Sequence, residues 1–255
     1  MGLEHRVLSG AMKAALQLLY PPQCLSCGTG VADTGVGAVH LCPACWSEAA
    51  FISGACCDCC GVPLPDDGTG VIQALVCDDC LRAVRPWSRG RAALVYSGTA
   101  RKLILALKHG DRLDLAPPMA AWLARAARPL VEPDMIVVPV PLHLRRLMKR
   151  KYNQAAQVSA RMARALGLDH QADLLIRLRH TPSQERRGAG ERFANQSGAL
   201  AVHPRRMSMV QGRPVLLVDD VMASGATIST AASALLEAGS GPVSVALLAR
   251  AVRDH

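Results

Sequence analysis

Val215-Leu216-Leu217-Val218-Asp219-Asp220-Val221-Met222-Ala223-Ser224-Gly225-Ala226-Thr227 reads as a buried strand, two acids, a loop of mostly small residues and the start of a helix. Each part has chemistry available to it. Carboxylates at a strand end accept hydrogen bonds from the vicinal hydroxyls of a ribose. Small residues at Ala223, Ser224, Gly225 and Ala226 let backbone N–H groups close around a phosphate at the helix N-terminus. Ser224 and Thr227 add hydroxyl donors, and Met222 leads the chain into the turn. An acidic strand end followed by an ordinary capped helix shares part of this pattern. The nucleotide fingerprints GxGxxG and GxxxxGK[ST] do not occur in the chain.

Outward from this run, strand and helix signals alternate. Candidate strands cover 92–96, 135–140, 215–219 and 243–248, and candidate helices cover 100–108, 115–127, 154–166 and 227–238. Alternation of this kind predicts an α/β fold, a mostly parallel sheet flanked by helices, with ligands bound at the carboxyl ends of the strands. As a whole, the 215–227 run resembles the phosphoribosyl pyrophosphate motif of type I phosphoribosyltransferases. The resemblance implies that Asp219 and Asp220 face the ribose and that the loop from Met222 to Thr227 holds the 5′-phosphate.

Upstream of Pro86 the composition changes. All ten cysteines lie between positions 24 and 80, as the pairs Cys24/Cys27, Cys42/Cys45, Cys57/Cys60 and Cys77/Cys80, with Cys56 and Cys59 left over. Two residues between cysteines let both thiolates of a turn reach one ion, and two such knuckles complete a tetrahedron of soft ligands around zinc. Fourteen residues separate Cys27 from Cys42 and sixteen separate Cys60 from Cys77, spans that suit a ribbon hairpin. Cys56/Cys59 has the same spacing as Cys57/Cys60, and Gly61 favours the latter by permitting a tight turn after the ligand. His40 is read as surface. A disulfide framework requires an oxidising compartment. A thioredoxin-like redox site uses one pair rather than four. Two structural zinc ions account for the pattern best.

The segments around these two halves resemble the ComF family, bacterial proteins that join an N-terminal zinc ribbon to the transferase fold and include members linked to DNA uptake. The resemblance rests on the CxxC pairs with Cys60-Gly61-Val62-Pro63-Leu64, on Leu107-Lys108-His109-Gly110-Asp111, and on Pro139-Val140-Pro141-Leu142 with Tyr152-Asn153-Gln154. It extends from Thr181 and Ser183-Gln184 to Arg192 and Asn195. It implies a pyrophosphate-binding loop after Val140 and Pro141, where Arg145, Arg146, Lys149, Arg150 and Lys151 cluster. Family members carry Arg-Gly-Phe-Asn-Gln where this chain has Arg150-Lys151-Tyr152-Asn153-Gln154, so a glycine is missing from that loop. The segment 179–191 resembles a mobile loop that closes over the active site. Lys108, at a helix end, can reach a phosphate or cap its own helix.

These signals divide the chain into an N-terminal amphipathic helix over 1–23, a double zinc ribbon over 24–85 and a phosphoribosyltransferase-type domain over 86–255. Residues 1–80 carry two Lys/Arg against eight Asp/Glu, whereas 81–255 carry 27 against 12. A body of that sign suits a polyanionic small molecule or nucleic acid. The acidic ribbon, made more negative by tetrathiolate zinc, instead suits packing on the body or a protein partner. Aromatic residues are only 3% of the chain, which leaves few rings for a base-stacking surface. No apolar run reaches the roughly 18–20 residues of a membrane span; we expect a cytoplasmic protein without membrane insertion.

The expected function is therefore binding of phosphoribosyl pyrophosphate, or a related ribose phosphate, with magnesium. As an enzyme it would displace pyrophosphate from C1 with a nitrogen nucleophile, Asp219 and Asp220 orienting the ribose. No segment announces a base pocket, so the acceptor is open. A non-catalytic sensor of the same ligand, and a single-stranded-DNA-handling accessory protein, are the other two readings.

Overall fold

The computed structural model describes residues 21–31, 41–65, 75–142, 152–178 and 199–252. His40, Arg145, Arg146, the 179–191 segment and most of the helix expected over 1–23 lie outside these residues. The centre of the fold is a five-stranded parallel sheet. In chain order the strands are β1 (Arg89–Val95), β2 (Ile136–Pro139), β3 (Asp169–His170), β6 (Val215–Met222) and β7 (Val243–Arg250). Spatially they run β1-β7-β6-β2-β3. A short antiparallel hairpin, β4 (Leu175–Arg177) with β5 (Leu200–Val202), lies outside the sheet.

Both faces of the sheet are covered, as its continuous apolar strands require. Leu216, Val218, Ala246 and Leu248 point into one core with residues from three helices: α3 (Gly98–His109), α4 (Ala116–Ala127) and α5 (Gln154–Leu166). Val215, Leu217, Val245 and Leu247 point into the other, against α7 (Ala226–Glu237) and the hairpin. α6 (Met207–Val210) is a single turn ahead of β6. Helix ends follow local chemistry: Asn153 accepts from Ala155 N–H at 3.1 Å to start α5, and Gly167, at φ +70°, ends it.

The cysteine-rich region straddles β1. Residues 50–52 run beside that strand, with Ile52 N–H donating to Ala93 C=O and Val95 N–H to Ala50 C=O, each at 3.0 Å. The first cysteine group packs into the helical core through Cys24, Cys45 and Ala49. Trp46, Phe51 and Trp122 form a ring cluster beside it. The second group packs into the opposite core through Cys57, Cys60 and Trp87. Here the backbones touch. A Cβ on Gly90 would lie 2.4 Å from Cys59 C=O, and one on Gly61 would lie 2.6 Å from Ala92 N, so both glycines are required by close approach.

Candidate functional site

Consecutive connections in the sheet reverse direction between β2 and β6: from β2 the chain moves outward to β3, then returns to place β6 on the other side of β2. The crevice at the strand carboxyl ends of such a switch point is where open α/β sheets bind ligands. β2 pairs with β6 only as far as Pro139↔Val218, while β6 continues beside β7 to Met222↔Arg250. Asp219 and Asp220 thus lie inside an extended strand, on an edge that β2 no longer covers. The strand expected over 215–219 thus runs on to Met222.

Strand alternation sends the two acids to opposite faces. On the helical face, Asp220 pairs with Lys108 Nζ at 2.8 Å. Asp219 Oδ1 accepts from the Asp220 N–H at 2.8 Å. Burial and the neighbouring Asp220 carboxylate push the Asp219 acid up to about 7, against the opposing charges of Lys108 and Arg177. Arg177, the last residue of β4, is a site cation that sequence reading passed over.

Two segments singled out far apart in sequence meet at Lys108. Tyr152 Oη donates to Leu107 C=O at 2.9 Å, and Gln154 Nε2 donates to Lys108 C=O at 3.4 Å. Asn153 Nδ2 donates to Val140 C=O at 3.1 Å, while Val140 N–H donates to Val218 C=O at 2.8 Å. Val140 is therefore a buried wall of the crevice whose N–H is already engaged, and Pro141 follows it at the rim.

The turn from β6 into α7 is held from outside. Gly225 takes φ +81° as the N-cap, with no side-chain cap hydrogen bond. Ser224 Oγ lies 3.5 Å from Ala226 N, and Ala226 and Met222 are buried. Thr227 follows in the first turn of α7. Arg250, 4% exposed at the end of β7, donates to the carbonyls of Met222 at 3.1 Å, Ala223 at 2.8 Å and Ala251. Arg85 donates to Ser224 C=O at 3.1 Å. The carbonyls of this turn are thus engaged by arginines, and the first N–H groups of a helix are the ones that have no partner within it.

The cysteines form two groups, Cys24/Cys27/Cys42/Cys45 and Cys57/Cys60/Cys77/Cys80, with the sulfurs of each within 4.8 Å of one another. Cys27 and Cys42 Sγ are 3.7 Å apart, and Cys60 and Cys77 Sγ 3.6 Å. A tetrahedron with Zn–S bonds of about 2.3 Å has edges of about 3.8 Å, so these donors fit zinc. All ten cysteines are free of disulfides. The halves repeat one design. In each, a knuckle turn closes on a left-handed glycine, with Gly28 N–H donating to Cys24 C=O at 2.9 Å and Gly61 N–H to Cys57 C=O at 2.8 Å. The second pair then sits at the start of a one-turn helix rather than on a second knuckle: α1 (Pro43–Ser47) after Cys42 and α2 (Asp78–Arg82) after Cys77. Hydrogen bonding with Cys60 and from the Cys77 N–H lowers the Cys57 thiol, and hydrogen bonding with the Thr29 hydroxyl lowers the Cys27 thiol to about 6. Cys56 and Cys59 stand outside both groups, and burial raises both thiols.

Comparison with known proteins agrees with this architecture. The double zinc ribbon domain matches residues 15–81 and the phosphoribosyl transferase domain matches residues 153–254. The chain thus joins a structural zinc ribbon to a type I phosphoribosyltransferase fold. It is 30% identical over 239 residues to the DNA utilization protein YhgH of Escherichia coli O157:H7, covering 91% of this chain and 99% of that one. Competence protein F of Haemophilus influenzae is 27% identical, covering 69% and 78% of the two chains, and competence protein ComFC of Bacillus subtilis is 25% identical, covering 78% and 79%. The chain belongs to the ComF family.

Among the described residues, no helix is long and apolar enough to cross a membrane.

Proposed function

We propose that the crevice between β2 and β6 binds the ribose 5-phosphate moiety of phosphoribosyl pyrophosphate with magnesium, in a protein that serves DNA uptake or DNA processing. The observation that carries this is the pairing of Asp219 and Asp220 at the switch point with a turn whose carbonyls are held back by Arg85 and Arg250. Asp219 and Asp220 would accept from the ribose hydroxyls. The amides opening α7, with Ser224 and Thr227, would hold the 5′-phosphate. Lys108, now paired with Asp220 at 2.8 Å, would exchange that partner for a phosphate oxygen. The carboxylates suit a hard cation, since Asp220 opposes ionisation of Asp219 and a divalent ion relieves that repulsion. Magnesium would neutralise charge on the pyrophosphate. Arg145 and Arg146 would approach it from the segment after Pro141.

If the protein is a transferase, a nitrogen nucleophile forms its bond to C1 as the C1–oxygen bond breaks and pyrophosphate departs. The two carboxylates would then favour positive charge developing on the ribose. The role in DNA uptake or processing is suggested by the names of the relatives. Calorimetric titration with phosphoribosyl pyrophosphate and magnesium should show saturable binding that Asp219→Asn/Asp220→Asn abolishes. Equal binding by the two proteins would remove the site. Pyrophosphate release across a panel of nitrogen acceptors separates a transferase from a sensor of the same ligand.

The charge of residues 81–255 favours a second reading, direct handling of single-stranded DNA. That reading expects steeply salt-dependent affinity for single strands, weakened by neutralising Arg145, Arg146 and Lys149 and untouched by Asp219→Asn.

A further inference from the structure

The second ribbon meets the proposed phosphate turn through side chains. Arg250 reaches the carbonyls of Met222 and Ala223, and Arg85 reaches Ser224 C=O. Trp87 connects Arg85 to the ribbon. Its Nε1–H donates to Cys59 C=O at 2.6 Å, and Arg85 lies over its ring at 5.5 Å. A Cβ on Gly225 would meet that ring at 3.3 Å and Arg85 Nη1 at 3.2 Å.

We infer that the second ribbon is a structural support of the phosphate turn: the Cys59 carbonyl of its knuckle holds Trp87, and Trp87 with Arg85 positions the turn for the ligand. This rests on the phosphate reading above. Arg85 and Trp87 are positioning residues under this inference. Among the described residues, the first ribbon shows no such link. Its ring cluster of Trp46, Phe51 and Trp122 packs on α4, on the other side of β1.

The test uses the full zinc-loaded chain and two readouts: calorimetric affinity for ribose 5-phosphate, and amide hydrogen exchange over 222–228. Cys77→Ser/Cys80→Ser should empty the second group, speed exchange of those amides at least tenfold and weaken ribose 5-phosphate binding at least tenfold. Trp87→Phe keeps the ring and the metal ligands but loses the donation to Cys59. It should retain both zinc ions yet move both readouts several-fold in the same direction. Arg85→Gln should do likewise, and Arg85→Lys should restore part of the affinity. Trp46→Ala, which removes a ring from the first ribbon, should leave both readouts within twofold. Unchanged exchange and affinity in Trp87→Phe and Arg85→Gln would overturn the inference, even if the cysteine variant fails to fold. So would an equal response to Trp46→Ala. Faster exchange on loss of the second metal in a chain that binds no ribose 5-phosphate would support the coupling and refute the phosphate reading.

Discussion

Asp219→Asn should stabilise the protein at neutral and alkaline pH. In the folded chain the Asp219 acid is raised from its ordinary 3.8 to about 7, chiefly by burial and then by the charge of Asp220. At about 1.4 kcal/mol per unit, this amounts to about 4 kcal/mol by which folding disfavours the charged form. Because the folded pKa is raised, the folded chain binds more protons than the unfolded chain between these values. Stability from this group is therefore full below about pH 4 and is lost as pH rises through 7. Asparagine keeps the oxygen that accepts from the Asp220 N–H at 2.8 Å and never ionises. The variant's advantage should grow by about 1.4 kcal/mol per pH unit over that window and level off above it, roughly doubling from pH 5.5 to pH 8. On the upper plateau it corresponds to a rise in Tm on the order of 10 °C for a chain of this size. Calorimetric melts of the two proteins at pH 5.5, 6.5 and 8, without added magnesium, measure this slope. An advantage that is flat across the series, or a variant less stable at pH 8, would refute the reasoning.

Lys108→Met removes the partner of Asp220 and leaves two acids adjacent in a largely buried setting; it should cost about 3 kcal/mol in thermal unfolding at pH 8. Adding Asp220→Asn should recover most of that, as a double-mutant cycle reads directly. Gly61→Ala meets both a φ of +69° and the Ala92 backbone at 2.6 Å, so it should unseat the second ribbon and lower zinc content towards one ion per chain by elemental analysis. Cys56→Ser/Cys59→Ser should retain two zinc ions, whereas Cys57→Ser/Cys60→Ser should retain one; the reverse result would exchange the ligand assignment in the second group.

The strands and helices of the transferase half were legible because each carries an unbroken signal. The helix expected over 154–166 is found as Gln154–Leu166, bounded by an asparagine cap and a left-handed glycine. Elements that escaped are ones whose signal is too short to have a period: the two-residue β3 and the three-residue strands of the hairpin. β6 ran on past Asp219 because β7 offers backbone partners through Arg250, a tertiary fact that no acid pair advertises. The CxxC spacing picked out the pairs that the fold gathers into two groups of four, but not their geometry. The small helices after Cys42 and Cys77 are one turn each, fixed by their place in the group rather than by propensity.

The parts of the site that sequence reading missed share a physical character, and one of them did leave a trace. Arg85, Trp87 and Arg177 reach the turn or the acids only through the tertiary fold, and nothing local marks them. Arg250 is different. It closes the run Val243–Arg250, whose every residue is buried. A guanidinium is almost never buried unless something holds it, so a lone arginine ending such a strand implies acceptors near the strand's carboxyl end. β7 lies beside β6 in the sheet, which puts those acceptors in the turn after Met222. The connection to the ribbon runs instead through Trp87, whose Nε1–H donates to Cys59 C=O at 2.6 Å, and through Arg85, which lies over its ring at 5.5 Å and donates to Ser224 C=O. The acidic ribbon and the basic body therefore meet at the turn through a particular pair of side chains.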